Sequence, residues 1–258
     1  MAGIEALFGL KGRTALVTGA SRGIGQAIAV GLAQAGAEIV AVSRSAAALG
    51  ETARAVEAAG QACHVLTADV ADCASIDALF AAIAEKGLTS DILVNNAGME
   101  EVRTSADVDE ALWDRIVDTN LKGAFFVAQG FAKPLLATGR GGSLINLGSL
   151  TSAVGVPTAT PYTSSKSGIL GMTRALSTEW SPAGIRVNAI GPGYFRTALT
   201  EAFYENDDWQ KAMLAKIPMN RFGALDDLVG VSVFLASDAS AYLTGQIIYV
   251  DGGYLASI

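Results

Sequence analysis

The chain has 258 residues, 51% hydrophobic and 17% charged, enough apolar material to bury one large core. Its formal net charge of -7 excludes a sequence-independent grip on nucleic-acid phosphates, which needs clustered Lys and Arg. Two cysteines, Cys63 and Cys73, are too few for a disulfide framework and lack metal-ligand spacing, so a reducing cytoplasm and no bound metal are expected.

Apolar runs of strand type alternate with longer segments of helical period, the pattern of β-α units around a parallel sheet. Strands are predicted over 14–18, 38–43, 62–67, 92–95, 142–147, 186–190 and 247–250, and helices over 25–35, 46–59, 75–84, 109–137, 162–180 and 226–236. The expected fold is α/β: a single-domain, Rossmann-type, doubly wound parallel sheet of about seven strands with helices on both faces. Six prolines, no Pro/Ser-rich stretch and no internal repeat leave no place to cut the chain, so one domain is expected over 1–258. No uninterrupted apolar run approaches the ~18 residues of a spanning helix, and no membrane partner is expected.

The first strand runs directly into Thr18-Gly19-Ala20-Ser21-Arg22-Gly23-Ile24-Gly25 and the first helix. Glycines there let the backbone turn sharply and approach a pyrophosphate, and the helix N-terminus presents unpaired N–H groups and a partial positive charge to it. With glycines at 19, 23 and 25, the motif departs from the common G-x-G-x-x-G spacing and resembles the short-chain dehydrogenase/reductase family in its compact form. The resemblance implies that Gly19, Ser21, Arg22, Gly23, Ile24 and Gly25 hold a nicotinamide dinucleotide. The second strand then ends in Ser43-Arg44, where members specific for NAD carry an acidic residue. A carboxylate repels a 2′-phosphate and a guanidinium binds one, so NADP is favoured, with NAD as the alternative and Arg22 within reach of the same phosphate.

Further landmarks follow in family order. Asp69-Val70, after the third strand, matches the pair that contacts adenine, and Asn95-Asn96-Ala97-Gly98 resembles the segment that supports the sheet and lines the adenosine ribose. Pro192-Gly193, with Thr197 beyond, resembles the loop that positions the nicotinamide. Leu243-Thr244-Gly245-Gln246 and Val250-Asp251-Gly252-Gly253 match near the end, so the resemblance covers almost the whole chain. Residues 194–219 break the β-α rhythm with Tyr194, Phe195, Phe203, Tyr204 and Trp209 among acidic residues, and read as a substrate lid. The single histidine, His64, lies in a predicted strand and reads as structural.

Tyr162 and Lys166 are four residues apart, which puts them on one helix face. A free phenol with pKa near ~10 is a sluggish acid and base at neutral pH, and a nearby ammonium is expected to bring Tyr162 towards the working range. Ser149, just past the strand over 142–147, stands where parallel α/β sheets place their ligands and is suited to hold a carbonyl oxygen. Asn120 resembles the family's helix asparagine, which ties the lysine to solvent through water. The resemblance implies a catalytic set of Asn120, Ser149, Tyr162 and Lys166, with Tyr162 and Lys166 also touching cofactor, and a reversible transfer of hydride between nicotinamide C4 and a substrate carbon.

Tyr162-Thr-Ser-Ser-Lys-Ser-Gly, Pro192-Gly193-Tyr194, Arg221-Phe222-Gly223 and the closing Val250-Asp251-Gly252-Gly253-Tyr254-Leu255 resemble the gluconate 5-dehydrogenase and 2-deoxy-gluconate 3-dehydrogenase branch, which implies a sugar or sugar acid. Arg103 or Arg196 is suited to pair with a substrate carboxylate, whereas Glu100-Glu101 disfavours an anion. The alternatives are a 3-oxoacyl-carrier-protein reductase, with Arg115, Lys122 and Lys133 as the basic patch, and a non-catalytic dinucleotide-binding regulator. A homotetramer is expected from the family and from the small, apolar helix face over 168–176.

Overall fold

The computed structural model describes residues 3–197 and 204–258. Seven parallel strands form one sheet: β1 (Thr14–Thr18), β2 (Glu38–Ser43), β3 (Cys63–Thr67), β4 (Ile92–Asn95), β5 (Gly142–Leu147), β6 (Ile185–Pro192) and β7 (Ile247–Val250). Their spatial order is β3-β2-β1-β4-β5-β6-β7, so the direction of winding reverses between β1 and β4. In such sheets the crevice outside the carboxyl ends of the strands, at this reversal, is where ligands bind.

Alternate residues of each strand enter opposite cores, as the two-residue period of a strand requires. Ala15 and Val17 of β1, Ile39 and Ala41 of β2 and Ile145 of β5 pack on one face with Ile28 and Leu32 of a helix over Gly23–Gln34 and Leu235 of a helix over Val229–Ala236. Leu16, Val40, Val42 and Leu144 pack on the other with Ile76, Leu79, Phe131 and Leu176. Both faces are therefore covered, which is why the strands read as near-continuous apolar runs. Glycine allows a close helix crossing on the first face: a Cβ on Gly31 would stand 2.4 Å from Val229 Cγ1.

Five of the seven predicted strands have the expected bounds, the other two strands and most helices are present with shifted ends, and one helix differs in kind. The helix expected over 109–137 is an α-helix over Glu110–Val117, a π-helical turn over Asp118–Lys122 and a second α-helix over Gly123–Thr138. A π-turn inserts one residue without changing side-chain periodicity enough to be read from sequence, and such turns recur at functional sites. Asn120 lies inside it, 1% exposed. His64 sits in edge strand β3 with Nε2 3.8 Å from Glu38 Oε2.

Candidate active site

The C-terminal ends of β1, β4, β5 and β6 bring together side chains from segments far apart in sequence. Thr18, the last residue of β1, receives backbone N–H bonds at Oγ1 from Asn96 at 3.1 Å and Ala97 at 3.0 Å, across the winding reversal. Asn96 Nδ2 donates in turn to the carbonyls of Thr18 at 2.9 Å and Gly19 at 3.2 Å. Asn96 thus braces the glycine turn with its amide. The turn tolerates nothing larger at two positions: a Cβ on Gly25 would meet Gly19 O at 2.3 Å, and one on Gly19 would meet Ala97 Cα at 2.9 Å.

Gly19 and Gly23 both have positive φ, 65° and 58°, which L side chains rarely adopt. Arg22 is the N-cap of the helix over Gly23–Gln34 and makes no side-chain cap, so its side chain leaves the first-turn N–H groups uncapped. A pyrophosphate fits such an uncapped, glycine-lined helix start by charge and by space. Thr197 comes to the same place, since a Cβ on Gly23 would lie 3.7 Å from its Cγ2. Arg22 and Arg44 are exposed and carry no ion pair among the described residues. Ser43 Oγ is engaged locally by Ser45 O at 2.8 Å.

The remaining cofactor candidates line the same edge. Asp69 is exposed, accepts Ala71 N–H at 3.0 Å in a tight turn, and precedes buried Val70. Pro192 ends β6, and Gly193 N–H donates to Val250 O at 2.8 Å. Gly193 is held so closely against Asp251 that a Cβ would approach its Cα to 2.6 Å. Gly98 passes between two functional candidates: a Cβ there would lie 3.3 Å from Asn120 Oδ1 and 3.7 Å from Lys166 Nζ.

Tyr162 and Lys166 lie on a helix over Thr160–Trp180, with Lys166 Nζ 5.6 Å from the centre of the Tyr162 ring. Lys166 is 5% exposed and donates to Leu147 O, the last carbonyl of β5, at 2.8 Å. Ser149 caps a short 3₁₀ turn over Leu150–Ser152, whose Ser152 Oγ donates to Lys166 O at 2.8 Å, so β5, the turn and the helix are tied into one unit. The Ser149 side chain, which accepts Thr151 N–H at 3.2 Å, also acts to lower the pKa of the Tyr162 phenol. Asn120 uses its amide to clamp Met99, accepting its N–H at 2.8 Å and donating to its C=O at 2.8 Å, and donates to Ser165 Oγ at 3.2 Å. All four expected catalytic residues are assembled here, three of them in a continuous β5-turn-helix unit and Asn120 on the neighbouring π-turn.

The electrostatics differ from the expectation. Burial is the largest effect on Tyr162 and raises its pKa; the carboxylate of Glu100 adds to this, and Ser149 opposes it. The ammonium of Lys166 is itself desolvated, brought down from 10.5 to about 8 by burial against an opposing Glu100. In the protein alone the lysine therefore does not draw the phenol down, because both groups share the same poorly solvated site.

A stability test follows from the lysine. Between about pH 8 and pH 10.5 an unfolded lysine still binds the proton that folded Lys166 has released, so stability contributed at this position rises with pH across that window. Below it the full cost persists, about 3 kcal/mol from the change in pKa. Urea midpoints of wild type and Lys166→Met should converge as pH rises from 8 to 10; parallel profiles would show that the ammonium is not desolvated.

The lid expected over 194–219 includes residues 198–203, among them Phe203, which lie outside the described residues. On either side Tyr194, Tyr204, Trp209, Phe222 and Tyr254 form a chain of edge-to-face and stacked rings with centroids 4.8 to 6.1 Å apart. The charges near the site pair locally. Arg103 and Arg115 each reach Glu101 at 2.6 Å, and Lys122 reaches Asp118 at 3.1 Å. The sequence reading did not single out Thr18 or Met99. Only the three-dimensional neighbours of the glycine turn and of Asn120 show what those two positions do.

The family model described as enoyl-(acyl carrier protein) reductase matches residues 19–255. The chain is 43% identical to the 2-dehydro-3-deoxy-D-gluconate 5-dehydrogenase of Dickeya dadantii, over 96% of this chain and 98% of that protein. It superposes with TM-score 0.95 on the solved gluconate 5-dehydrogenase of Burkholderia cenocepacia in complex with NADP and tartrate, at 35% identity over 99% of this chain and 100% of that one. It is also 58% identical, with TM-score 0.95, to a Sinorhizobium meliloti structure provisionally described as a short-chain alcohol dehydrogenase, over 98% of this chain and 100% of that one. The glycine turn, the sheet order and these full-length matches place the chain in the short-chain dehydrogenase/reductase family of NAD(P)-dependent oxidoreductases.

Proposed function

We propose that the protein is an NADP-preferring oxidoreductase that interconverts a secondary alcohol and a ketone on a sugar or sugar acid. The observation that carries the reading is the Ser149-Tyr162-Lys166 unit, fixed to the end of β5 by Lys166 Nζ on Leu147 O and by Ser152 Oγ on Lys166 O. A bound nicotinamide dinucleotide supplies or accepts the hydride. Ser149 positions the substrate oxygen, Tyr162 exchanges a proton with it at the phenolic oxygen, and Lys166 holds a positive charge near that phenol. Asn120 acts by fixing Met99 and Ser165 around the lysine.

Cofactor contacts are proposed for the glycine turn from Gly19 to Gly25, for Ser43 and Arg44 at the end of β2, for Asp69 and Val70 by the adenine, for Ala97 and Gly98, and for Pro192, Gly193 and Thr197. Asn96 supports the turn through Thr18 and Gly19. Arg22 and Arg44, both exposed and without ion pairs among the described residues, support the preference for a 2′-phosphate. The relatives of D. dadantii and B. cenocepacia, named for sugar-acid substrates, support the polyhydroxylated class.

The carrier-protein reading loses support from local pairing. Arg115 and Lys122, two of its three proposed basic contacts, are already matched by Glu101 and Asp118. A panel of polyols, ketoses, aldonates and β-keto thioesters, run with both cofactors, tests the assignment. Turnover of a polyhydroxylated member with NADP is expected, and activity confined to the β-keto thioesters would reject it.

A further inference from the structure

Three buried polar side chains lie in the apolar core beneath the helix over Thr160–Trp180, which carries Tyr162 and Lys166. Asn95 ends β4, Asn146 is its register partner on β5, and Thr173 belongs to that helix. They are 6%, 0% and 2% exposed. By the two-residue period of a strand, Asn95 and Asn146 face the same way as Leu93 and Leu144, into the core that also takes Phe131 and Leu176. Burying polar groups there costs free energy that apolar residues would not, unless each group finds partners.

The partners are one another. Asn95 Nδ2 donates to Ala124 O at 2.7 Å and to Asn146 Oδ1 at 3.3 Å, and Asn146 Nδ2 donates to Thr173 Oγ1 at 2.9 Å. The network joins β4, β5, the helix of Tyr162 and Lys166, and the first turn of the helix that follows the π-turn of Asn120. Each end point adjoins a working group. Asn96, next to Asn95, braces the glycine turn, and Leu147, next to Asn146, accepts the Lys166 ammonium bond. Thr173 lies seven residues after Lys166, two turns along the same helix face.

A helix held on a sheet at one point is free to pivot and slide, because apolar side chains repack in several arrangements of similar energy. The near anchor is at Lys166, whose Nζ donates to Leu147 O and whose C=O accepts Ser152 Oγ, both at 2.8 Å. Thr173 supplies a second anchor about 10 Å further along the axis. An amide and a hydroxyl pair within a narrow range of distance and angle, so this anchor is satisfied in one register of helix on sheet. We propose that Asn146 and Thr173 are positioning residues: their hydrogen bond, backed by Asn95, sets the register of the helix on β5 and with it the placement of Tyr162 and Lys166 relative to Ser149. This deepens the oxidoreductase reading above and rests on the roles given there to Tyr162 and Lys166.

Thr173→Val and Thr173→Ser separate the hydroxyl from the space it fills. Valine keeps the volume and removes Oγ1, whereas serine keeps the oxygen and removes a methyl group. Thr173→Val is expected to lower kcat per NADPH-binding site by about 10 to 100-fold on the panel member that wild type accepts, with the dissociation constant for NADPH within about twofold. Thr173→Ser should hold kcat within about threefold of wild type. Hydrogen exchange reads the register without substrate: amides over 162–166 should exchange about tenfold faster in Thr173→Val than in Thr173→Ser, with those of β1 unchanged. A residue that only fills space gives the reverse order, with serine the more damaging. That order, a wild-type kcat in Thr173→Val, exchange raised equally over β1, or a valine variant that binds no NADPH would each overturn the positioning role. Wild type that turns over no panel member rejects the oxidoreductase reading instead, and the exchange comparison still decides the role of Thr173.

Discussion

Tyr162→Phe is expected to lower kcat by about 10³-fold or more while leaving the dissociation constant for NADPH within about twofold of wild type, because it removes a positioned proton donor and little else. The phenyl ring keeps the volume beside Lys166, whose Nζ lies 5.6 Å from the ring centre, and Lys166 retains its bond to Leu147 O. The lost atom is the phenolic oxygen, the proton-exchanging group of the proposed chemistry. Steady-state rates together with calorimetric cofactor binding check the result. A variant with near-normal turnover would remove Tyr162 from the chemistry, and one that no longer binds NADPH would make the residue structural. The same experiment separates an enzyme from a dinucleotide-binding regulator, for which the substitution has no activity to abolish.

The second large effect concerns the cofactor. Arg44→Asp is expected to weaken NADPH binding by about 100-fold, since a charge-assisted hydrogen bond contributes about 1.5–3 kcal/mol and the new carboxylate also repels the 2′-phosphate. NADH binding should tighten, because a carboxylate at the end of β2 is suited to accept the ribose hydroxyls. Ser43, which bonds its own turn through Ser45 O, stays in place. Arg22→Ala should add roughly a further tenfold loss for NADPH if both guanidiniums share the phosphate. Equal losses for NADPH and NADH in Arg44→Asp would mean that the arginine supports the loop and does not read the phosphate.

Much of the architecture was legible because two periodicities and one turn carry it. Strands buried on both faces announce themselves as apolar runs such as Ala15-Leu16-Val17 and Ile92-Leu93-Val94, all 0% exposed. The glycine turn was legible for a steric reason: at Gly25, with Gly19 O 2.3 Å from any Cβ, no other residue fits. The Tyr162 and Lys166 pair followed from helical spacing, and their meeting with Ser149 from the position of β5.

What stayed hidden depends on contacts between distant segments. The π-turn around Asn120 leaves no mark in the pattern of apolar residues, yet it carries the amide that clamps Met99. In sequence Arg103 is available to pair with a substrate carboxylate, whereas the fold pairs it with Glu101; Glu100 and Glu101 stand side by side as equals, whereas among the described residues Glu101 forms ion pairs and Glu100 forms none. The raised phenol of Tyr162 is equally invisible in sequence, because desolvation is set by what the whole fold packs around it.

Isotope tracing puts the proposed chemistry to its sharpest trial. With NADPH deuterated at the transferable C4 position and the ketose accepted in the panel, wild type should yield an alcohol one mass unit heavier, labelled at the carbinol carbon and retaining the label in water, while Tyr162→Phe gives no labelled product on the same timescale. An unlabelled alcohol, or equal labelling by the Tyr162→Phe variant, would contradict direct hydride transfer assisted by Tyr162.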